Sequence, residues 1–212
     1  LPTLKHILDQ GGRAILMSHL GRPKGIVESL RLKPVVERLA ALLGAHVHYA
    51  TDSIGEGVEQ QVAQLKNGAC LLLENIRFYA EETNNDETFA RTLAQFGEVY
   101  VNDAFGAAHR AHASTEGVTH FIPIRAAGFL MQKELDYLAG AVSDPKRPFV
   151  VILGGARVSN KIAVTQRLIE IADTLIIGGG MAYTFLKSQG GNIGHSLLDE
   201  ENLSFAAEMI NK

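Results

Sequence analysis

The feature that most constrains this chain is an alternation of short apolar runs with stretches of helical period. Ala14–Met17, Leu71–Leu73 and Val99–Val101 are apolar runs. Between them, Leu32, Val36, Leu39 and Leu43 fall on one helical face, as do Val58, Val62 and Leu65, and then Phe89, Leu93 and Phe96. Gly44, Gly68 and Gly97 stand where a left-handed helix cap is expected. Strands are expected around 14–17, 46–49, 70–73 and 99–101, each separated by a helix. That order predicts an α/β protein with a parallel sheet and helices on both faces, a three-layer αβα, Rossmann-like arrangement.

The first domain is expected over 1–125. Met131, Leu135, Leu138 and Val142 then recur at helical spacing, and Ser143-Asp144-Pro145 and Pro148 close the segment. This predicts a connecting helix and linker over 126–147. The pattern restarts with strands at Phe149–Leu153 and Thr174–Ile177 and helices at Asn160–Ala172 and Met181–Ser188. A second α/β domain is therefore expected over 148–212, and it is expected to be incomplete, because two or three strands cannot bury both faces of a sheet. Leu1 falls inside a helical pattern and Lys212 directly follows another, so the chain is expected to be a fragment.

The net charge of −3 and the pI of about 6.3 leave no global positive field for nucleic acid or an anionic membrane. Attraction for anions must be local. The single cysteine, Cys70, lies in the run Ala69–Leu73 and reads as a buried, inert thiol. The apolar runs are too short to cross a bilayer and the start of the chain lacks a secretory layout, so a cytoplasmic location is expected.

Three apolar runs end in basic side chains: His19 and Arg22 after the first, Arg77 after the second and Arg110 after the third. Parallel strands send their carboxyl ends the same way, and ligands bind beyond those ends. One such arginine is ordinarily solvated, but three together predict a phosphate or carboxylate site. The second half offers something different. Leu153-Gly154-Gly155-Ala156 and Ile177-Gly178-Gly179-Gly180 each leave a strand and enter a helix, exposing backbone N–H groups that hold phosphate oxygens. Lys161 follows within a turn, and Arg157 is nearer the glycines.

Other motifs fit poorly. Tyr183 occupies the third position of a dinucleotide fingerprint, and no Walker A motif occurs. His109 and His112 lack further ligands for zinc. Glu81-Glu82 and Asp199-Glu200-Glu201 read as solvated turns or helix starts.

Five segments in collinear order carry a family resemblance: Ser18-His19-Leu20-Gly21-Arg22-Pro23; Glu74-Asn75-Ile76-Arg77-Phe78; Asn102-Asp103-Ala104-Phe105-Gly106 with Ala108-His109-Arg110-Ala111-His112; Gly154-Gly155-Ala156-Arg157 with Lys161; and Gly178-Gly179-Gly180-Met181-Ala182. Together they closely resemble the phosphoglycerate kinases. The resemblance implies a first domain that binds 3-phosphoglycerate or 1,3-bisphosphoglycerate through His19, Leu20, Gly21, Arg22, Ile76, Arg77, His109 and Arg110. It implies a second that binds ATP or ADP, with Mg²⁺, through Gly154, Gly155, Ala156, Arg157, Lys161, Gly179 and Gly180. Lys161, Arg22 and Arg110 are the residues it implies in catalysis, which is reversible phosphoryl transfer in glycolysis with the helix near 127–142 as a hinge element.

Where the family usually has lysine after Gly-Gly-Ala, this chain has Arg157. The family's early Arg-Val-Asp-x-Asn strand and its later Mg²⁺-serving aspartate are not among these residues, so the resemblance implies an internal fragment, inactive alone, of a parent that is a monomer. An NAD-dependent dehydrogenase and a non-catalytic anion-binding fragment are the alternative readings.

Overall fold

Alternate residues of one buried strand build two halves of a core. Leu71 and Leu73 join a cluster with Val58, Phe89, Leu93, Tyr100 and Val118, while Cys70 and Leu72 join Ala14, Leu32 and Val47 in another. Successive strand side chains point to opposite faces, so this partition places apolar layers on both sides of the sheet. Each fully buried leucine contributes roughly 1.5–3 kcal/mol.

The computed structural model describes residues 1–212 and divides into two compact units, Leu1–Asp136 and Tyr137–Lys212. In the first, the order is α1 (Pro2–Asp9), β1 (Ala14–Leu16), α2 (Lys33–Leu43), β2 (Val47–Tyr49), α3 (Glu56–Gln64), β3 (Cys70–Leu72), α4 (Ala80–Thr83), α5 (Glu87–Ala94), β4 (Val99–Asn102), β5 (Ile124–Ala127) and α6 (Phe129–Glu134). β3 lies between β1 and β2, both parallel to it, with Cys70 opposite Ala14 on one side and Val47 on the other. The α1 and α2 side chains Ile7, Val36 and Leu39 pack with the Cys70–Leu72 face, and those of α3 and α5 pack with the Leu71–Leu73 face.

The helices start and stop for local reasons. Pro34 sits in the first turn of α2, where no backbone donor is lost, and Gly44 ends that helix in the left-handed region at φ 67°. Asp86 caps α5 by accepting from the Phe89 N–H at 2.8 Å, a contact worth about 1 kcal/mol. The other two cap expectations are corrected. Gly68 has φ 73° but lies in a turn beyond the end of α3, its N–H donating to the Gly12 carbonyl at 3.1 Å. Gly97 is not left-handed, and α5 ends through Gln95 instead.

β5 has no counterpart in the expected strands. It pairs in parallel with β4, Val99 opposite Ile124, and all four of its residues are exposed. Ile-Arg-Ala-Ala has neither an apolar run nor alternation, so its strand character comes from the pairing. The expected connecting helix is present but interrupted: a π-helical stretch at Leu135–Ala139 follows α6 before α7 (Gly140–Ser143).

The second unit continues with β6 (Val150–Gly154), α8 (Ile162–Ile171), β7 (Thr174–Gly178), α9 (Met181–Ser188) and α10 (Leu203–Ile210). β6 and β7 are parallel, with Gly154 opposite Gly178. Leu153, Leu175 and Ile177 pack with Met181, Phe185, Ala206 and Met209. On the opposite face Ile152 is 76% and Ile176 48% exposed, so this two-stranded sheet buries one side only.

Candidate functional site

The run from Leu71 to Phe78 is buried throughout, and its end turns sharply into a 3-10 turn, Ile76–Phe78. Arg77 is drawn inside with it, 9% exposed. Its Nη1 donates to the Gly21 carbonyl at 3.0 Å, while its Nε is buried with no hydrogen-bond partner. Burial, and then Arg110 and Arg22 nearby, pull its pKa down; Glu82 acts in the opposite sense. His19, after β1, is held below the ordinary imidazole range by burial first and then by Arg77, Arg110 and His112. These shifts mark a cluster of basic groups from three strand ends whose charges bear on one another.

One carboxylate sits beneath that cluster. Glu82, in α4, is 2% exposed and accepts from the Ser114 N–H at 2.9 Å and Ser114 Oγ at 2.8 Å. His112 Nδ1 lies 3.5 Å from Glu82 Oε1. The loop is tied again where Thr115 Oγ1 donates to the Arg110 carbonyl at 2.7 Å and Tyr100, on β4, donates from its hydroxyl to the Ser114 carbonyl at 2.9 Å. Glu82 is therefore no solvated turn residue. It binds the Arg110–Thr115 loop to α4 and offsets part of the positive charge.

Of the residues expected to hold an anion, His19, Arg22 and Arg110 lie within electrostatic reach of Arg77. Arg22, Leu20 and Gly21 are exposed in the loop after β1. Ile76 points into the core at 3% exposure, so only its backbone is near, the N–H donating to the Ser18 carbonyl at 3.2 Å. His109 is exposed. His112 and Glu82 were not among the expected site residues. The signal for His112 was its position two residues after Arg110, but nothing local marks Glu82 as buried.

In the second unit the two glycine turns meet backbone to backbone. The Met181 N–H donates to the Gly155 carbonyl at 2.8 Å. Gly179 has φ 68°, and a Cβ there would stand 3.0 Å from the Gly155 oxygen and 3.1 Å from its nitrogen. A Cβ on Gly180 would stand 2.9 Å from the Ala156 oxygen. The Lys161 stem crosses Gly155, its Cγ and Cε each 3.9 Å from where a Cβ would be. Arg157 is exposed, and its charge bears on Asp199, whose carboxyl is held below its usual range first by the Ser159 N–H at 2.9 Å. Gly154 lies at the end of β6, opposite Gly178. No three His, Cys, Asp or Glu side chains converge as a metal set, and no helix is long and apolar enough to cross a membrane.

Parallel strands ending in a basic cluster in one unit and in paired glycine turns in the other define an α/β protein of the Rossmann-like class. A sequence profile described as "Phosphoglycerate kinase" matches residues 1–212. The phosphoglycerate kinase of Moorella thermoacetica is 60% identical over 99% of this chain and 53% of its own length, and the cytosolic phosphoglycerate kinase 3 of Arabidopsis thaliana is 56% identical over 100% and 53%. The crystal structure of phosphoglycerate kinase from Pyrococcus horikoshii OT3 superposes with a TM-score of 0.88 at 28% identity, covering 100% of this chain and 56% of that one. The chain belongs to the phosphoglycerate kinase family. It spans about half the length of the curated relatives it matches.

Proposed function

We propose that the protein to which these residues belong transfers a phosphoryl group reversibly between ATP and the carboxylate of 3-phosphoglycerate, giving ADP and 1,3-bisphosphoglycerate. The observation that carries this reading is Arg77: a buried guanidinium, crowded by like charges, with one N–H group still unpartnered. An anion supplies both the missing acceptor and the missing charge. His19, Leu20, Gly21, Arg22, Ile76, Arg77, His109 and Arg110 line the glycerate side in this reading, the part spanning 1–125. Gly154, Gly155, Ala156, Arg157, Lys161, Gly179 and Gly180 line the nucleotide side, in 148–212, with 126–147 between them.

In the reaction a carboxylate oxygen forms the new bond to the γ-phosphorus while the bond to the β,γ-bridging oxygen breaks and ADP leaves. The protein's share is positioning and charge. Arg22, Arg77 and Arg110 neutralise the acceptor's anionic groups, and backbone N–H groups at the glycine turns hold phosphate oxygens. Lys161, stretched over Gly155, follows the transferred group as a mobile point charge. Mg²⁺ would enter with the nucleotide. Among these residues no three His, Cys, Asp or Glu side chains converge to hold it. A cytoplasmic monomer that binds neither nucleic acid nor membrane completes the reading, and the Arabidopsis relative is named cytosolic.

The test is a coupled assay on the uninterrupted protein. We expect ATP turnover that depends on 3-phosphoglycerate. Its absence, together with unchanged glycerate binding in Arg77→Ala, would overturn the proposal.

A further inference from the structure

Asn75 carries no charge, yet it holds two of the three cationic segments of the first unit in place. It follows β3 and is wholly buried. Its Nδ2 donates to the Leu20 carbonyl and to the Leu30 carbonyl, each at 2.9 Å, so one amide draws together both ends of the loop that carries Arg22. This is the closure of an Ω-loop, made by a side chain from outside it. Beyond that closure the loop stands in solvent, with Ile26 70% exposed. Asn75 Oδ1 accepts from the Arg77 N–H at 3.1 Å and so caps the 3-10 turn that carries Arg77. Arg77 completes the circuit through its Nη1 contact with the Gly21 carbonyl. Asn75 is itself held by Glu74, whose Oε1 accepts from the Asn75 N–H at 2.7 Å and the Leu32 N–H at 2.9 Å.

We propose that Asn75 is a positioning residue that sets the spacing between Arg22 and Arg77, and thereby favours an anion with two charged ends over a small single-centred one. The inference rests on the glycerate reading above. A compact anion takes whichever cations reach it and tolerates a loose loop. A ligand with a carboxylate at one end and a phosphate at the other needs its cations at a set separation, and loses affinity when the loop must be ordered on binding.

The test titrates 3-phosphoglycerate and inorganic phosphate separately into the protein and into Asn75→Asp and Asn75→Ser, by calorimetry. Asp keeps an acceptor for the Arg77 N–H and loses both donors to the loop. We expect the Kd for 3-phosphoglycerate to rise about tenfold or more and that for phosphate by less than about threefold. A general loss of folded protein would lower both affinities alike, so equal changes, or none, overturn the inference. Hydrogen exchange in the unsubstituted protein gives a second reading that needs no variant. The Asn75 side-chain amide protons are expected to exchange far more slowly than exposed amides and more slowly still with 3-phosphoglycerate bound; exchange at the exposed rate overturns the clamp. Should the unsubstituted protein bind phosphate but not 3-phosphoglycerate, the glycerate reading itself fails. Binding of both with an unchanged ratio in the variants removes the inference alone.

Discussion

The first unit gathers side-chain cations at its strand ends, whereas the second presents glycine backbone. The materials impose different structural demands. Guanidinium groups brought together repel one another and lose hydration, so the first unit surrounds them with fixed partners: Glu82 beneath, the Gly21 carbonyl on Arg77, and Asn75 tying two loops. The glycine turns need no counter-charge. They need the absence of side chains, because Gly179 and Gly180 sit where a Cβ would press on Gly155 and Ala156. One site is therefore sensitive to loss of atoms and the other to their addition.

Substitutions that exploit this contrast separate the units. The largest effect is expected from Arg77→Ala, which removes a buried charge-assisted donor and should weaken 3-phosphoglycerate binding by about two orders of magnitude, roughly 3 kcal/mol. Nucleotide binding, measured in parallel by calorimetry, should not change. The mirror experiment is Gly179→Ala. A side chain at φ 68°, 3.0 Å from the Gly155 oxygen, should destabilise the second unit by about 1–3 kcal/mol and weaken nucleotide binding while sparing glycerate binding. Denaturation followed by circular dichroism, with each ligand added in turn, would show which unit has been weakened; a loss of glycerate binding would break the comparison.

A smaller effect comes from pH. Burial alone pushes the Glu74 carboxyl up, but donors from Tyr49, Leu32, Asn75 and Arg31 outweigh it and leave the group below its usual range. A carboxylate with a lowered folded pKa adds stability above its unfolded value, near 4.5 or somewhat less, and loses it as pH falls through the folded value. Urea midpoints measured downward from neutral pH should therefore fall in the acid range, and Glu74→Gln should flatten that fall. An identical slope in the variant would remove Glu74 as its source. The smallest effect is expected at Arg157. It is exposed beside the turn, and Arg157→Lys keeps the charge, so ATP affinity should move by less than about threefold. A larger change would mean that the planar fork, rather than charge, matters there.

Much of the first unit was legible in the sequence because its signals are periodic and local. The alternation around residues 14–17, 46–49, 70–73 and 99–101 became β1 to β4, and Gly44 ends α2 as expected. β5 was not legible, since Ile124–Ala127 owes its form to hydrogen bonds with β4 rather than to its own residues. The cations beyond the strand ends were visible because they are among the first basic residues after each apolar run, Arg77 after Leu73 and His109-Arg110 after Val101. Their supports were not. Glu82 resembles its exposed neighbour Glu81, and its burial depends on Ser114, which is distant in sequence.

By itself, the sequence determined the classes of element, the positions of the strand ends and the residue types found there, because hydrophobic period, glycine and proline act within a few residues. Family membership was also readable from five motifs in order. The tertiary structure alone decided which polar groups are buried and what satisfies them. That is why Asn75, uncharged and given no role of its own within its motif, emerges as the tie between Leu20, Leu30 and Arg77. Burial and hydrogen bonding between distant residues are properties of packing, and packing depends on every element at once.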